Sequence, residues 1–436
     1  MTSTDAQTVA LAVLDLARAG RFADIRGRFA ASLQPMIAAG ALQAAWDAEV
    51  ARLGPVVSAG DPISDTADPR VVLVRVPVRF ERGQLTLLAS VIPSGELAGL
   101  QLAPADAAEP PAPWQPPPYA DPDRFDEQEV MLGDGPLAVP GTLTLPTAAG
   151  PRPGVVLLGG SGPTDRDSTI AHNKPFKDLA WGLASRGVAV LRFDKVTRAH
   201  PDQVRADRDF TVADEYLPHA LAALRLLRAH PAVGAKQVFL AGHSLGGTVA
   251  PRVAAADAPA DGPPVAGLAI LAGGAEPLPW AAVRQVRYLA SLDPAATAAA
   301  QPVIDTMTAQ AEQVDRPDLS PDTPDDRLPF GTPAPYWLDL RDYDPVATAA
   351  ALGQPLFIGQ GGRDYQATVA DDLSRWQAGL DGRRDVTIRV YPADNHFFFP
   401  GAGPSSPAEL EAPQHFDPQL VADLHDWLAS TAPASS

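Results

Sequence analysis

The 436-residue sequence contains no cysteine. Disulfide bonds, thiolate zinc sites, iron–sulfur clusters and a cysteine nucleophile are therefore excluded. The sequence also lacks any apolar run near the roughly 18 residues of a membrane-spanning helix, and its best candidate, residues 265–272, has the length of a buried strand. Its start carries Asp5 and Asp15 instead of the basic stretch of a signal peptide. We therefore predict a cytoplasmic protein that does not associate with membranes.

Basic residues are also scarce. Lys and Arg number 34 against 52 Asp and Glu, which gives a net charge of −18. Because such a chain repels a phosphate backbone, we predict no nucleic-acid partner. The glycine-rich stretch at 159–162 is followed by neither a phosphate-binding nor a dinucleotide-binding motif. The sequence predicts no cofactor and no metal, and a small molecule as the partner.

Prolines, by contrast, concentrate in one stretch. Eight of them occur between positions 104 and 122, a density that opposes helices and central strands. Residues 104–124 are therefore predicted to be a linker. Residues 1–103 show helical periodicity followed by three β-rich runs, which predicts a small α+β domain without catalytic residues. We expect this domain to be a docking or dimerisation surface, giving a homodimer, or one wall of the substrate entrance.

After the linker, short apolar runs alternate with helical segments. This alternation is typical of a mostly parallel sheet covered by helices on both faces, and it extends over residues 125–431. A helical, proline-rich insertion interrupts it at about 276–340. Because the insertion follows a strand of the sheet, we expect it to form a cap over the active site. Among its aromatic residues, Trp280, Tyr336 and Trp337 are predicted to line the substrate pocket.

The segment Gly242-His243-Ser244-Leu245-Gly246 has the G-x-S-x-G spacing of a nucleophile elbow. In an elbow, a sharp turn from strand to helix lifts the serine hydroxyl above the sheet. The flanking glycines are needed because side chains there would collide with the strand and the helix. An apolar strand at 238–241 leads into the segment, and an alanine-rich helix leads out. Ser244 is therefore the predicted nucleophile of an α/β-hydrolase fold.

A serine hydroxyl needs a base to take its proton, and in this fold the order along the chain is serine, acid, histidine. His396 follows the last predicted strand and is the expected base, with His415 as the fallback, while His425 lies in the C-terminal helix. Asp364 follows a buried strand and a glycine-rich turn and is the expected acid, which orients the imidazole and stabilises the imidazolium. Asp394 is its nearest rival.

The negative oxygen that forms during acyl transfer needs two main-chain N–H donors. The residue after the nucleophile, Leu245, supplies the first. Ser161, in the glycine-rich loop after the predicted strand 155–158, is expected to supply the second.

With these motifs in place, the sequence resembles a family of bacterial α/β-hydrolase serine esterases in which a domain of unknown function precedes the hydrolase. The matching segments are RFERG at 79–83, PGTLTLP at 140–146, GSGP at 160–163, DRD at 165–167, NKPF at 173–176, RFDK at 192–195, GHSLG at 242–246, GRDYQ at 362–366 and NH at 395–396. The resemblance covers nearly the whole chain. It implies carboxylic-ester hydrolysis, with Ser244, Asp364 and His396 at the matching catalytic positions.

The chain differs from many members of that family at one place. They have His-Gly before Ser-Gly-Pro, whereas this sequence has Gly159-Gly160. Because that histidine usually buttresses the oxyanion loop, we expect the loop to be more mobile or differently packed here.

Three classes of function follow from this reading. The first is an esterase or lactonase that works through an acyl-enzyme intermediate. The second uses the same triad for acyl transfer, cyclisation or thioester cleavage in a biosynthetic pathway. The third is a binding protein built on an inactive hydrolase, against which the intact triad residues argue. Amide cleavage by a peptidase is also compatible with the triad, but no feature of the sequence selects it.

Overall fold

The computed structural model describes residues 2–30, 33–34, 37, 39–66, 71–105, 114–257, 262–292 and 294–432. The chain divides into two compact units, Met1–Pro113 and Trp114–Ser436. Of the predicted linker at 104–124, the part at 106–113 lies outside the described residues. The linker itself stays a prediction.

The first unit combines three helices with a small antiparallel sheet. The helices are α1 (Ser3–Arg18), α2 (Phe22–Arg26) and α3 (Ala39–Leu53). The strands are β1 (Val56–Ala59), β2 (Ile63–Asp65), β3 (Val72–Phe80), β4 (Gly83–Val91) and β5 (Leu97–Pro104). Their order is β1-β3-β4-β5, and β2 pairs with β3 beside β1. The predicted α+β architecture of the N-terminal domain is confirmed.

Helix α1 shows why this unit has a core of its own. The helix begins with a capping box, in which Thr2 and Asp5 each bond the other's main-chain N–H. Its buried face packs with alternate residues of β3 and β4, such as Val76 and Leu87, in one apolar cluster. Burial of that face stabilises the helix beyond its intrinsic propensity. The expected role of this unit in docking, dimerisation or substrate access stays a prediction.

The second unit is built on an eight-stranded sheet. Its strands are β6 (Phe125–Leu132), β7 (Val139–Pro146), β8 (Arg152–Leu158), β9 (Ala189–Phe193), β10 (Val233–His243), β11 (Leu268–Leu271), β12 (Leu356–Gly361) and β13 (Val386–Tyr391). Their order in the sheet is β13-β12-β11-β10-β8-β9-β7-β6. All neighbours from β13 to β9 are parallel, and the hairpin β6–β7 adds the antiparallel edge.

Helices cover both faces of this sheet. In the described part of this unit the α-helices are α4 (Pro175–Ala184), α5 (Val196–Ala199), α6 (Pro201–Ala206), α7 (Val212–Ala229), α8 (Leu245–Ala256), α9 (Leu278–Ser291), α10 (Pro294–Asp315), α11 (Ala334–Arg341), α12 (Pro345–Ala351), α13 (Ser374–Gly379) and α14 (Pro418–Thr431). In β8, Val155 and Leu157 share one apolar cluster with α4 and α14, whereas Val156 and Leu158 share the other with α7 and α8. Alternation with burial on both sides explains the continuous apolar runs of the sequence.

The predicted α/β-hydrolase fold with a helical insertion is thus confirmed. The insertion lies between β11 and β12 and contains α9, α10 and α11. Since β8 and β10 to β13 are parallel neighbours, the loops after them meet at one edge of the sheet. Ser244, Asp364 and His396 all belong to these loops. Within the described ranges, no helix is long and apolar enough to cross a membrane.

Candidate active site

Ser244 lies at the sharp turn between β10 and α8. Its backbone has φ 55° and ψ −125°, a conformation that residues with a side chain rarely adopt. A side chain on Gly242 would collide with the carbonyl of Gly246, and one on Gly246 would collide with the carbonyl of Leu158. The two glycines therefore allow strand, turn and helix to pack closely enough to hold this geometry. The side chain of Ser244 is left partly exposed.

His396 and Asp364 form a buried pair. The Nδ1 atom of His396 lies 2.8 Å from Oδ2 of Asp364, and both side chains are almost fully inaccessible to solvent. The other oxygen of Asp364 accepts the main-chain N–H groups of Gln366 (2.7 Å) and Ala367 (3.0 Å), and Gln360 donates to Oδ2 (3.2 Å). These four contacts fix the carboxylate. They require Nδ1 to carry the proton, which leaves Nε2 of His396 as the basic nitrogen.

His243, beside the nucleophile, links the elbow to the histidine loop. Its Nε2 donates to the main-chain carbonyl of His396 over 2.8 Å, and the two imidazole rings are 4.8 Å apart. Burial, together with the nearby His396, lowers the pKa of His243 to about 3. His243 is therefore neutral at physiological pH, and it ties the main chain of His396 to the residue that precedes Ser244. In the described part of the chain, no hydrogen bond joins the Ser244 hydroxyl directly to the His396 ring.

The alternative bases and the alternative acid lie elsewhere. His415 pairs with Asp178 over 3.1 Å, and His425 pairs with its exposed neighbour Asp426 over 2.9 Å. Asp394 is 1% exposed, yet its Oδ2 atom has no hydrogen-bond partner among the described residues. Of the predicted acids, it is Asp364 that contacts His396.

The predicted oxyanion loop follows β8 and runs alongside the elbow. A Cβ atom on Gly160 would lie 3.1 Å from Cβ and 3.6 Å from Oγ of Ser244. Ser161 is the next residue and is exposed, while Leu245 begins helix α8 directly after the nucleophile. One predicted N–H donor therefore follows Ser244 directly in the chain, and the other directly follows Gly160, which approaches Ser244.

The packing of this loop explains why position 159 is a glycine. A Cβ atom on Gly159 would lie only 2.6 Å from Oγ1 of Thr164, so no larger residue fits without a shift. The carbonyls of Gly159 and Gly160 instead accept hydrogen bonds from Tyr216 and Lys195, two buried side chains. The expectation that the loop is more mobile or differently packed than in related proteins stays a prediction.

Helix α9 of the insertion contacts the loop that carries Asp364. The Arg284 guanidinium donates to the carbonyls of Tyr365 and Gln366, each over 3.1 Å, and pairs with the buried Asp372 over 3.0 Å. The Tyr288 ring stacks on that of Tyr365, with centroids 4.9 Å apart and planes at 9°. The insertion therefore covers the acid side of the site.

A pocket of about 470 Å³ lies between α9 and this loop. Its lining residues are Arg284, Tyr288, Gly362, Arg363, Asp364, Tyr365, Thr368, Asp371, Gly403, Pro404 and Ser405. A smaller cavity beside it is lined in part by His396 and Phe397, and it shares Tyr365 and Ser405 with the large one. The large pocket has the volume of a small-molecule site and adjoins the buried His–Asp pair.

Residues 155–412 match the alpha/beta hydrolase family. The chain is also 34% identical over 354 residues to Esterase EstD of Thermotoga maritima, a match that covers 80% of this chain and 78% of EstD. The protein belongs to the alpha/beta hydrolase family.

Among solved structures, the hydrolase is similar to an esterase of Pyrococcus furiosus, with 15% sequence identity and a TM-score of 0.44. The match covers 74% of this chain and 99% of the esterase. It is also similar to a puromycin-hydrolyzing peptidase of Mycobacterium tuberculosis, with 15% identity, 84% and 46% of the chains covered, and a TM-score of 0.45.

The aromatic residues predicted to line the hydrolase's substrate pocket contact other parts of the molecule. Trp280 donates its indole N–H to Asp315 within the insertion, over 2.7 Å. The Tyr336 hydroxyl donates to Glu215 of α7 over 2.8 Å. Trp337 is 1% exposed and packs in a small apolar cluster of the insertion with Leu319 and others. None of the three is among the residues that line the large pocket.

The pocket instead presents Arg284, Tyr288 and Tyr365, which sequence reasoning did not select. Tyr365 directly follows the predicted acid and could have been found on that ground. Arg284 and Tyr288 are four residues apart on α9 and so share one helix face, which was a weaker signal. Lys195 was noticed only as the last residue of the RFDK segment, because the burial of a lysine is not expected from composition, and Tyr216 was not noticed.

Asp394 provides a test of how the hydrolase's stability depends on pH. Burial and the charge of the nearby Asp417 raise the pKa of Asp394 to about 8, and the charge of Arg363 opposes this in part. Between pH 4 and 8 the unfolded chain loses this proton while the folded protein keeps it, so the free energy of unfolding falls as pH rises. Asp394→Asn removes this dependence. We expect its melting temperature, relative to wild type, to be higher at pH 9 than at pH 5 by at least about 3 °C.

The measurement is the thermal unfolding of Asp394→Asn and of the wild type, monitored by circular dichroism at several pH values from 5 to 9. Asp126→Asn, at an exposed position of the edge strand β6, serves as the matched control. A difference between Asp394→Asn and wild type that is the same at pH 5 and pH 9 would contradict the raised pKa.

Proposed function

We propose that the protein hydrolyses a carboxylic ester or lactone through an acyl-enzyme intermediate on Ser244. The observation that carries this proposal is the buried 2.8 Å contact of His396 with Asp364, which His243 links to a serine held in a strained elbow. The 34% identity to Esterase EstD supports esters as the substrate class. The site residues provide a nucleophile, a base with its orienting acid, and main-chain donors.

In the first half-reaction, Ser244 Oγ attacks the carbonyl carbon of the ester while Nε2 of His396 takes its proton. The oxyanion that results is stabilised by the N–H groups of Leu245 and Ser161. The imidazolium is stabilised by Asp364, which stays ionised. Collapse of the tetrahedral species breaks the bond to the alcohol oxygen, which takes the proton from His396 and leaves.

In the second half-reaction, a water molecule loses a proton to His396 and attacks the acyl carbon. The second tetrahedral species releases Ser244 Oγ, which recovers its proton from His396, and the carboxylic acid departs. If an alcohol, amine or thiol attacks in place of water, the same steps give acyl transfer or, within one substrate, cyclisation. The chemistry on the protein side is the same in all these cases.

The proposal is tested with a panel of chromogenic esters, lactones and thioesters, each assayed with and without added alcohol or amine. We expect ester or lactone turnover, and we expect a fluorophosphonate probe to label Ser244, as located by mass spectrometry of the digested protein. A probe that attaches to another serine, or a folded protein inert to the whole panel, would contradict the proposal. Products that incorporate the added acceptor would point to acyl transfer.

We also propose that the pocket beneath α9 receives the bulkier part of the substrate. Tyr288 forms one wall, because its ring stacks on Tyr365 and its hydroxyl donates to the Ser405 carbonyl over 2.9 Å. Tyr288→Ala should therefore raise KM for esters with large apolar groups by about 5–10-fold, the worth of a few methylene contacts, while kcat/KM for acetate esters changes little.

The control for this prediction is Trp337→Phe, which lies in the apolar cluster of the insertion and outside the pocket. We expect it to lower the melting temperature without changing the preference between large and small esters. Equal preference in Tyr288→Ala and wild type would show that substrate binds elsewhere.

The cytoplasmic location and a homodimer are further proposals, supported by the sequence patterns described above. Fractionation of the source cells tests the first, and light scattering of the purified protein tests the second.

A further inference from the structure

A buried lysine lies behind the loop that faces Ser244. The side chain of Lys195 is 2% exposed, and its Nζ atom has three partners. It donates to the carbonyl of Gly160 over 2.7 Å and to the hydroxyl of Tyr216 over 2.9 Å, and it pairs with Glu215 over 2.9 Å. An ammonium group has three N–H donors, so each of them meets an oxygen.

The neighbours of Lys195 hold the same loop. The single proton of the Tyr216 hydroxyl faces two acceptors, the carbonyls of Gly159 (2.9 Å) and Gly160 (3.0 Å). Glu215 in turn accepts hydrogen bonds from Thr197 (3.1 Å) and from Tyr336 of the insertion (2.8 Å). Burial lowers the pKa of Lys195, and the adjacent Glu215 opposes this effect. Such a network is stable only when every buried polar group is satisfied, as it is here.

The Gly160 carbonyl belongs to the same peptide unit as the N–H group of Ser161. A peptide unit is planar and trans, so its C=O and N–H bonds point in opposite directions. No cis peptide occurs among the described residues. Whatever holds the Gly160 carbonyl toward Lys195 therefore also directs the Ser161 N–H away from Lys195. Gly160 itself approaches Ser244 closely: a Cβ atom on Gly160 would lie 3.1 Å from the Cβ atom of Ser244, which is tighter than ordinary contact.

We propose that Lys195, together with Tyr216, is a positioning residue that orients the Ser161 N–H as an oxyanion donor. This inference rests on the proposed acyl-enzyme function. It assigns a role in the reaction to a cation that never touches the substrate.

The physical need for this role comes from the two adjacent glycines. Because neither residue has a side chain, the peptide units around Gly159 and Gly160 can rotate with little steric hindrance. A rotated Gly160–Ser161 unit would direct a carbonyl oxygen, instead of an N–H group, toward the developing negative charge. The ammonium opposes this rotation, since it would leave one of its buried N–H donors unpaired, and the tyrosine hydroxyl would lose one of its two acceptors. A charged donor on the carbonyl also polarises the peptide and strengthens its N–H as a donor.

The test uses the full-length Lys195→Met protein, whose side chain is similar in length but has neither charge nor donor. We measure kcat and KM for the best ester of the panel, and the inhibition constant of a trifluoromethyl ketone, which forms an oxyanion when a serine adds to it. We expect kcat to fall by about 100-fold, the usual effect of losing one oxyanion donor, with KM changed less than about threefold. The inhibition constant should rise in parallel with the loss in kcat.

Arg228→Met is the matched control. Arg228 forms an equally buried ion pair with Asp257, away from the loop, so it shows what the loss of a buried cation does to stability alone. We expect it to lower the melting temperature but leave the inhibition constant within about twofold of wild type. If Lys195→Met does not fold, Tyr216→Phe carries the test, with the same pattern and an expected loss in kcat of about 10-fold.

Wild-type kcat and inhibitor affinity in folded Lys195→Met, or in Tyr216→Phe where that variant carries the test, would overturn the role of these side chains. So would a parallel loss of kcat and inhibitor affinity in Arg228→Met. A wild-type protein in which the ketone does not bind and Ser244 is not needed for turnover would instead overturn the proposed function itself.

Discussion

Ser244→Ala is expected to lower kcat for the best ester by about 10⁴-fold or more, because the acyl-enzyme cannot form without the hydroxyl. The same change should leave the fold intact. Alanine keeps the Cβ atom of serine, so the backbone at φ 55° is no more strained than before. In addition, no side-chain hydrogen bond stabilises the start of α8 at this position. The measurement is ester turnover at saturating substrate, with circular dichroism and melting temperature measured on the same samples.

Ser374→Ala is the matched control for this prediction. Ser374 is exposed and bonds only the Ala370 carbonyl one turn earlier, so its loss should leave turnover unchanged. Fluorophosphonate labelling should disappear in Ser244→Ala and persist in Ser374→Ala. Substantial turnover by folded Ser244→Ala, after removal of contaminating esterases, would refute the role of Ser244.

The fold was predictable because its signals are local. The parallel strands inside the sheet are buried on both faces and therefore appear as short apolar runs, and the predicted alanine-rich helix after the elbow is present as α8. The elbow was recognisable because close packing of strand, turn and helix requires glycine at positions 242 and 246, whatever the rest of the chain does. Short strands such as β2, which has only three residues, carried no such pattern and were missed.

The contacts around the site could not be predicted, because they join residues distant in sequence. The DRD segment at 165–167 and the RFDK segment at 192–195 were noticed only as motifs. In the structure they form crossed ion pairs, Arg166 with Asp194 (3.0 Å) and Arg192 with Asp167 (2.9 Å). These pairs tie the long loop after β8 to the end of β9, next to Lys195. Residue types alone do not say which charges meet.

The aromatic residues of the insertion could not be assigned to the pocket from the sequence for a similar reason. Trp280, Tyr336 and Trp337 lie in an insertion whose helices pack partly on one another and partly on the sheet domain. Which side of such a helix faces the pocket depends on packing that is absent from the local pattern, and a large aromatic residue fills a core as readily as it lines a site. The pocket wall formed by Tyr288 therefore became visible only in three dimensions.

The second large effect is expected for the histidine. His396→Ala should reduce kcat about as strongly as Ser244→Ala, by about 10⁴-fold or more, because no other group can take the serine proton. Asp364→Asn should cost somewhat less, yet still by about 10³–10⁴-fold, because an amide N–H would face Nδ1 and force the ring into the wrong tautomer. The measurement is kcat for one chromogenic ester across the variants.

A double variant tests the triad assignment more sharply than any single variant, because residues that act as one unit do not have independent effects on kcat. Once Ser244 is gone, His396 has no proton to take, so the double variant Ser244→Ala/His396→Ala should be hardly slower than either single variant. Losses that multiply would mean that the two side chains act independently and that the triad assignment is wrong.

The structure supplies controls of the same residue types for both partners. His415→Ala removes a histidine paired with Asp178 instead of Asp364, and Asp394→Asn removes a buried acid that does not contact His396. Both should keep kcat within about threefold of wild type, since neither group touches the reacting atoms. If His415→Ala abolished turnover while His396→Ala did not, His415 would be the base. In that case the buried contact of His396 with Asp364 would be structural.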